Sequence, residues 1–468
     1  MESHLAGASG MENLKRSHTM DKKVYENILS YLKDTIAGSK FENHVFSVGG
    51  CERDKRLGRE IKDIDLVVDL PHGGIDFANW LSSKELTKGS VVVYENFGTA
   101  MFRLKEYPEE EIEVVHTRKE CYHDAESRNP ETSYGTIMED CKRRDFTVNA
   151  FYHNISRSED LDLTGLGEYD LKNRIIRACD DPQIIFTEDP LRILRAIRFS
   201  TRLGFDIDKY TFSGMQENVS RLSIISQERI TDEFIKIVTG PNAERGILMM
   251  QELKAYIYFF PEIMSVYNDV NYHIRAFRTE FTAHDSETKL ITFLSVVGHL
   301  IDKPSLLEYR LREMKFDNNT IKKVLFIDEK LKIVLSNKWH EPKVVRKIQY
   351  ECKTEDLFYT LMYTSSFFIL CHSYSKSYDD IYVDRKTKKC IHGEMFGYTL
   401  PINGNDVMKE LNLSPSPKVK YYLDKVLNKA FEHPDITREE CIDILHSLDS
   451  IHFPISCKII KFFKSLAH

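Results

Sequence analysis

The sequence predicts an α+β fold in which a small mixed-sheet domain precedes a longer, mostly helical part. Three observations support this prediction. Short apolar runs of strand length alternate with glycine turns before about residue 155. Patterns with helical periodicity dominate from about Pro182 onward. The 468 residues also suffice for about three domains at roughly 150 residues each, which excludes a single small module.

The predicted elements follow one another along the chain. An amphipathic helix over Lys22–Lys33 comes first. The segments VFSVGG and IDLVVDL are predicted as buried strands that flank a glycine turn and a short helix. Three further strands are predicted in SVVVYE, TAMFRLK and EIEVVHT. The polar stretch Tyr122–Asp140 shows no periodicity and is predicted as a loop long enough to be functional.

The composition excludes several classes of protein. With 42% hydrophobic and 29% charged residues and no apolar window of membrane-spanning length, a membrane protein is not expected. The nine cysteines include no Cys-x-x-Cys pair, which favours reduced thiols in the cytoplasm over a disulfide framework or a zinc site. A net charge of -7 means that contact with nucleic acid requires local basic patches. Residues 1–20 lack the apolar run of a signal peptide and are predicted to be a disordered leader.

A glycine turn and three carboxylates form the first candidate site. Gly49 and Gly50 end a predicted strand and precede a helix, where backbone N–H groups can face an anion without a Cβ in the way. Asp63 and Asp65 alternate on the next strand, so both can hold divalent cations beside a triphosphate. Glu113 is a third acid in an apolar strand, and the three acids predict a two-metal site. A solvated strand edge is the simpler alternative for the two aspartates.

The segment Lys142–Ala150 places two arginines and an acid ahead of an apolar stretch. Arg143 and Arg144 suit phosphate groups, because a guanidinium group binds them with two parallel hydrogen bonds. Asp145 suits a ribose hydroxyl. A basic helix cap is the alternative interpretation of this segment.

A third group of charged residues belongs to a helix predicted from about Asp189 to Arg202. Glu188, Arg192 and Arg195 fall on one side of this helix, since residues three and four apart are neighbours. Because a proline is tolerated in the first turn, Pro190 places the carboxylates at the helix start. Ordinary ion pairing of Glu188 with Arg192 is the alternative.

Local basic stretches occur in the helical part of the chain. Ile321–Lys347 contains eight Lys or Arg residues against three Asp or Glu, and Lys458, Lys461 and Lys464 lie near the C-terminus. Such stretches are usually solvated faces. In a protein with a nucleotide site elsewhere, they are candidate contacts to nucleic-acid phosphates.

Four segments in a fixed order resemble a known family. They are GGCERDKRLGREIKDIDLVV, KRRDFTVNAF, DLTGLGEYDLKNRIIR and EDPLRILRAIRFSTRLGFDI. Together they resemble motifs A to D of the class II tRNA nucleotidyltransferases, the CCA-adding enzymes. These enzymes share their head domain with bacterial poly(A) polymerases and belong to the DNA polymerase beta superfamily. The similarity covers roughly residues 45–207, and a weaker one at 401–419 extends it towards the C-terminus.

The resemblance implies a fold and an order of domains. It implies a small mixed-sheet nucleotidyltransferase head followed by a mostly α-helical neck, body and tail. The implied boundaries are a leader over 1–20, the head over 21–155, a neck with the nucleotide-reading helix over 156–245, a body with a degenerate HD-like region over 246–395, and the tail over 396–468.

The resemblance also assigns roles to individual residues. Asp63, Asp65 and Glu113 match the catalytic carboxylates that bind Mg²⁺. The residues that match nucleotide-binding positions are Gly49, Gly50, Arg53, Asp54, Arg143, Arg144, Asp145, Asn149, Glu188, Asp189, Arg192 and Arg195. Among them, Asp189 and Arg192 match the pair that reads the incoming base. One departure is Glu52, where the family usually has an apolar residue.

The implied activity is template-independent addition of C, C and A to the 3′ end of tRNA from CTP and ATP, with the tRNA bound by its acceptor arm. The stretch Tyr122–Asp140 has the length of the family's full flexible loop, which favours addition of A as well as C. Bacterial poly(A) polymerases carry a basic strand where this chain has YENFGTAMFR, so poly(A) synthesis is the second hypothesis. An enzyme that adds only A remains open.

Two hypotheses from other classes are disfavoured. The segment FLSVVGHLIDKP resembles part of an HD metallohydrolase site, but Leu300 stands where the metal-binding Asp should follow His299. A separate pair, His284 and Asp285, lacks the apolar setting of such a site. A non-catalytic RNA-binding protein would be expected to have lost the acids of the first candidate site, which are all present.

Overall fold

A computed structural model describes residues 19–95, 98–121, 131–262, 285–336, 341–372 and 395–452. Within these residues the chain forms two compact units. The first contains the described residues up to Phe293 together with Lys303–Ile321, and the second contains Leu294–Asp302 and the described residues from Lys322 onward. No helix in the described ranges is long and apolar enough to cross a membrane. The α+β prediction is confirmed, because a mixed sheet is followed mainly by helices.

A seven-stranded mixed sheet forms the N-terminal part of the first unit, with strand order β3-β4-β5-β2-β1-β8-β9. Strands β2 and β5 are parallel neighbours, whereas all other adjacent pairs in this sheet are antiparallel. The strands are β1 (Val45–Val48), β2 (Ile64–Val68), β3 (Val92–Tyr94), β4 (Thr99–Arg103), β5 (Glu111–His116), β8 (Phe151–Asn154) and β9 (Glu159–Asp162). The strands predicted in the first 116 residues are therefore confirmed.

One face of this sheet packs against helices α1 (Lys22–Ile36) and α3 (Gly73–Ser83). Along β2, Ile64, Leu66 and Val68 belong to the core on this face. Because successive side chains of a strand point to opposite faces, Asp65 lies on the other face together with Val67. A smaller apolar cluster covers that second face and includes Val67, Val115 and Tyr152.

The segment between β1 and β2 folds as predicted, as a turn followed by a short helix, α2 (Gly50–Arg56). The start of the described chain differs from the prediction. Met20 was placed in the disordered leader, but its side chain is buried and its backbone forms a bridge with Ile61. Residues 1–18 lie outside the described residues.

The prediction of a continuous loop over Tyr122–Asp140 is partly wrong. Strands β6 (Arg118–Cys121) and β7 (Glu131–Tyr134) form an antiparallel hairpin. Helix α4 (Ile137–Lys142) follows and begins with a capping box made by Thr136 and Glu139. A two-stranded ribbon of polar residues lacks the apolar alternation on which strand prediction depends. Residues 122–130 lie outside the described residues.

The rest of the first unit is mostly helical, as predicted. Its helices up to residue 252 are α5 (Gly167–Asn173), α6 (Pro182–Glu188), α7 (Leu191–Leu203), α8 (Lys209–Asn218), α9 (Gln227–Thr239) and α10 (Ala243–Glu252). A two-stranded ribbon, β10 (Ile175–Ile176) and β11 (Asp206–Ile207), accompanies them. The predicted helix from Asp189 to Arg202 is confirmed as α7, except that Glu188 ends the preceding helix and Pro190 is the N-cap of α7.

The later part of the described chain contains eight more helices. They are α11 (Ser286–Ile301), α12 (Pro304–Glu313), α13 (Asn318–Val334), α14 (Pro342–Cys352), α15 (Glu355–His372), α16 (Gly404–Glu410), α17 (Pro417–Ala430) and α18 (Arg438–His452). The last three pack around a common apolar core that contains Val407, Val426 and Leu445. The division into head, neck, body and tail at residues 155, 245 and 395 stays a prediction.

Candidate active site

Asp65 and Glu113 are direct neighbours on the two parallel strands. The register pairs them across β2 and β5, and Asp63 immediately precedes β2. Burial, together with the negative charges of Asp65 and Asp63, raises the pKa of Glu113 to about 7. Clustered carboxylates with such a raised pKa are stabilised by a nearby positive charge. The donor set is chemically suited to a divalent cation, whose preferred ligands are oxygen atoms. In the structure the ligand atoms of Asp63, Asp65 and Glu113 do not all lie within 4.8 Å of one another.

The glycine turn lies against these carboxylates. Gly49 has φ 81° and ψ −133°, a conformation that side chains with a Cβ rarely adopt. A Cβ added at Gly49 would lie 3.5 Å from Oδ2 of Asp65 and 3.8 Å from Nη1 of Arg144. Glycine at this position thus leaves the backbone accessible between an acid and an arginine of the candidate site.

Five candidate nucleotide-binding residues form one hydrogen-bonded chain. Arg53 donates to both carboxylate oxygens of Asp54 at 2.9 Å and to Oδ1 of Asn149 at 2.5 Å. Asn149 donates to Oδ1 of Asp145 at 3.1 Å, and Oδ2 of Asp145 accepts two bonds from Arg195. Burial alone would raise the pKa of Asp145, but the guanidinium group of Arg195 holds this pKa well below its ordinary value. The structure thus brings together residues from α2, the segment after α4, and α7.

Arg143 and Arg144 share a carboxylate that sequence reasoning missed. Asp140 is completely buried, and its Oδ1 accepts from Nη2 of Arg143 at 2.6 Å while its Oδ2 accepts from Nη2 of Arg144 at 2.9 Å. The hydroxyl of Tyr152 also donates to Oδ2 at 2.7 Å. Burial alone would raise the pKa of Asp140, but the two guanidinium groups hold it well below its ordinary value. The spacing of three and four residues was a usable signal, obscured because the segment was predicted as a loop.

The hairpin and the arginines are connected through backbone groups. Arg118, at the start of β6, donates its N–H to Asp140 at 3.3 Å and accepts Nε–H of Arg143 at 3.0 Å. The carbonyl oxygen of Arg143 in turn accepts Nη2 of Arg192 at 2.8 Å. One residue, Arg143, therefore contacts both the hairpin and helix α7.

The proposed base-reading residues are held by different partners. Arg192 donates to the carbonyl of Ile185 at 3.0 Å and to Oε2 of Glu188 at 3.2 Å. The pairing of Glu188 with Arg192, considered as the simpler alternative, is therefore present. Asp189 instead accepts a bond at 2.9 Å from Arg229, which lies 40 residues later and was not identified from the sequence. Burial alone would raise the pKa of Asp189, but Arg229 and Arg192 lower it.

Glu52, the departure from the family pattern, is buried and compensated. It accepts hydrogen bonds from the hydroxyl of Tyr25 at 2.6 Å and from Arg56 at 2.8 Å. Among the described residues, Glu52, His153 and Asp160 are the one group of His, Cys, Asp or Glu residues whose three ligand atoms lie within 4.8 Å of one another. Arg56 also contacts Asp160 at 3.2 Å. Because an arginine already neutralises both carboxylates, we do not assign a metal centre there.

The segment that resembles part of an HD site takes part in a histidine–aspartate contact. Nδ1 of His299 lies 3.9 Å from Oδ1 of Asp328, a buried residue of α13. Within the described part of the chain, this contact offers one histidine and one carboxylate, whereas catalytic zinc sites use three protein ligands. His284 lies outside the described residues, and Asp285 caps α11 by accepting the N–H of Thr288.

Four lysines of the basic stretch 321–347 form ion pairs. These pairs are Lys330–Glu351, Lys332–Asp302, Lys343–Glu432 and Lys347–Glu351. Because these four lysines are ion-paired, they are better interpreted as part of solvated helix faces than as contacts to nucleic-acid phosphates. Lys458, Lys461 and Lys464 lie outside the described residues.

Comparison with known proteins gives two family matches. Residues 45–177 match the model of the poly A polymerase head domain. Residues 204–266 match a family described as the probable RNA and SrmB-binding site of polymerase A. The first match contains every candidate residue from Gly49 to Asn149.

Full-length relatives and solved structures agree with these matches. A tRNA nucleotidyltransferase of Schizosaccharomyces pombe is 25% identical over 92% of this chain and 98% of its own. A CCA-adding enzyme of Staphylococcus aureus is 28% identical over 70% of this chain and 82% of its own. The CCA-adding enzyme of Bacillus stearothermophilus in complex with CTP has the same fold, with a TM-score of 0.70, 20% identity, and coverage of 92% of this chain and 99% of its own. Residues 45–177 therefore belong to the poly A polymerase head domain family, and most of the chain is similar to tRNA nucleotidyltransferases and CCA-adding enzymes.

Proposed function

We propose that this enzyme adds C, C and A to the 3′ end of tRNA, using CTP and ATP and no nucleic-acid template. The observation that carries the proposal is the pairing of Asp65 with Glu113 beside the turn at Gly49. It is supported by full-length relatives named as a tRNA nucleotidyltransferase and as CCA-adding enzymes. In the reaction, the 3′ oxygen of the tRNA forms a bond with the α-phosphorus, and the bond from that phosphorus to pyrophosphate breaks.

Asp63, Asp65 and Glu113 would hold Mg²⁺ in this reaction. Their fit rests on the clustered carboxylates and on the raised pKa of Glu113 near 7, which a bound cation would lower. When bound there, Mg²⁺ supplies Lewis acidity towards the attacking hydroxyl and the leaving pyrophosphate. The protein's own task is to hold the reacting groups in line.

The candidate nucleotide-binding residues have separate tasks. Gly49 and Gly50 let the backbone approach the triphosphate, and Arg53, Arg143 and Arg144 supply positive charge towards it. The hydrogen bonds of Asp145 to Arg195 and Asn149 hold its carboxylate towards the ribose. Asp54 orients the guanidinium group of Arg53. Glu188 orients that of Arg192.

Asp189 and Arg192 would replace a template strand. Cytosine and adenine each present an amino donor beside a ring-nitrogen acceptor, whereas uracil and guanine present a carbonyl acceptor beside an N–H donor. A carboxylate only accepts and a guanidinium only donates, so this pair complements C and A and opposes U and G.

The proposed domains divide this work. The head (21–155) carries out the transfer, the neck (156–245) reads the base, and the body (246–395) and tail (396–468) bind the acceptor arm of tRNA. The cysteines that the structure describes with side chains include free thiols at 51, 141, 179, 352 and 441, which supports a reducing compartment. We propose the cytoplasm as that compartment.

The proposed function is tested by incubating the enzyme and Mg²⁺ with labelled CTP and ATP and a tRNA that ends at the discriminator base. Sequencing the products should reveal a single CCA end. A product extended by many A residues would identify a poly(A) polymerase. Addition of A only to a tRNA that already ends in CC would identify an A-adding enzyme, and no incorporation would contradict a catalytic role.

A further inference from the structure

Asp189 is held from two sides. Its Oδ1 accepts the backbone N–H of Leu191 at 3.1 Å, and its Oδ2 accepts Nη2 of Arg229 at 2.9 Å. The side chains of Asp189 and Arg229 are 21% and 31% exposed, so the contact is largely shielded but remains open on one side. Because an ionised carboxylate can accept about four hydrogen bonds, these two donors leave acceptor capacity for a base.

Arg229 approaches Asp189 from a separate helix that is itself fixed. It is the third residue of α9, and Glu233 lies four residues further along the same side of that helix. Glu233 accepts a bond at 2.7 Å from Arg198 of α7, and both of these side chains are buried. This second contact ties α9 to α7 and so limits the movement of Arg229 relative to Asp189.

The other member of the base-reading pair has different partners. The guanidinium group of Arg192 is directed to the carbonyls of Ile185 and Arg143 and to the carboxylate of Glu188. The hydrogen bonds named here thus hold Asp189 and Arg192 through different groups. A change at Arg229 should disturb the acceptor half of the pair while leaving the donor half in place.

We propose that Arg229 is a positioning residue that determines nucleotide choice by fixing the orientation of the Asp189 carboxylate. With Arg229 in place, one face of the carboxylate is directed at the amino group of cytosine or adenine. Without it, the carboxylate turns about its Cβ–Cγ bond, and the penalty against a carbonyl edge falls. This inference rests on the proposed function, since it concerns the same nucleotide site.

The test compares Arg229→Leu and Arg229→Lys with the parent enzyme, with all four nucleotides in competition on tRNA. We expect Arg229→Leu to lower the preference for CTP and ATP over UTP and GTP by about tenfold to a hundredfold, the range for loss of one base-reading contact. Its KM for CTP should rise more than its kcat falls. Arg229→Lys should recover part of the preference. Arg245→Leu removes a similar single contact, 2.6 Å from Asp206, and is the control that should keep the parent's preference.

A second pair of variants separates positioning from general stability. In an Asp189→Ala background, adding Arg229→Leu should change nucleotide preference no further, because the residue it positions is gone. The proposal would be overturned if Arg229→Leu lowered the preference for CTP and ATP as much in the Asp189→Ala background as in the parent enzyme. An unchanged preference in Arg229→Leu alone would overturn it too. If the parent enzyme itself adds no C or A to tRNA, the proposed function fails instead, so the two failures are distinguishable.

Discussion

Arg198 of α7 and Glu233 of α9 form a buried ion pair, with 2.7 Å between Nε and Oε2 and side chains that are 3% and 5% exposed. Replacing Arg198 with Met removes the bonded guanidinium group from the buried Glu233 carboxylate and leaves Lys236, whose Nζ lies 4.0 Å from Oε1 of Glu233, as a more distant positive charge. We expect the free energy of unfolding to fall by about 3–5 kcal/mol, as measured by urea denaturation. The exposed pair of Arg245 with Asp206 is the control, and Arg245→Met should cost no more than about 1 kcal/mol. Equal losses in both variants would contradict this expectation.

The carboxylates on β2 and β5 should be required for chemistry but not for tRNA binding. We expect Asp65→Asn and Glu113→Gln to abolish incorporation of CTP and ATP, because each variant would lose a proposed metal ligand. Affinity for tRNA, measured by filter binding, should stay close to that of the parent, since it depends mainly on phosphate contacts. Glu111→Gln, an exposed residue of the same strand, is the matched control. Turnover of either site variant at the parent's rate would remove these residues from the active site.

Gly49 should tolerate no side chain. In Gly49→Ala the new Cβ would be in ordinary van der Waals contact with Asp65 and Arg144, but the alanine would be strained at the positive φ of this position. We expect kcat/KM for CTP to fall by at least about a hundredfold, because relief of this strain would shift the backbone that faces the triphosphate, and a misplacement of about 1 Å has effects of this size. Gly204→Ala shares a positive φ, but its Cβ would meet nothing within 4 Å. That control should lose stability and keep activity, and similar activity losses in the two variants would indicate a general folding effect.

Asp189 and Arg192, the proposed base-reading pair, should control the choice of nucleotide. We expect Asp189→Ala to shift incorporation towards UTP or GTP, because the group that opposes their carbonyl edges is lost. Arg192→Ala should weaken incorporation of CTP and ATP. Both effects are measured in competition assays with four nucleotides. If both variants kept the parent's ranking, α7 would be only a helix stabilised by ion pairs.

Asp328 should make stability depend on pH. Burial raises its pKa to about 6, so the folded state favours the protonated acid. The protonated form of Asp328 is therefore compatible with the folded state at low pH, and the folded state loses stability as this carboxyl group ionises with the pH rising through about 6. We expect Asp328→Asn to have a higher Tm than the parent at pH 7.5, with a smaller difference at pH 5. Asp424→Asn, at an exposed position of α17, is the control and should show no such trend. If Asp328→Asn had the parent's Tm at pH 7.5, burial of the Asp328 carboxylate would not lower the stability of the folded protein.

The strands of the mixed sheet could be predicted from the sequence, and so could several candidate site residues that the structure brings together, because these signals are local. Asp65 stands out among apolar neighbours, and the arginines of the segment after α4 are adjacent in the chain. What pairs with these residues was not predictable. The parallel register of Asp65 with Glu113 depends on the order of strands in the sheet, and Arg229 reaches Asp189 only because α9 packs against α7. Asp140 was missed for a different reason, since its helix follows a polar hairpin that resembles a loop.

Arg143 has two kinds of contact that mutagenesis treats differently. Its side chain binds Asp140 and the backbone of the hairpin, whereas its carbonyl oxygen holds Arg192. Every amino acid at this position retains the carbonyl, so substitutions probe only the first of these roles. An alanine scan would consequently underestimate Arg143, and the second role becomes visible only when the backbone itself is altered, for example by an amide-to-ester exchange, which weakens the carbonyl as an acceptor.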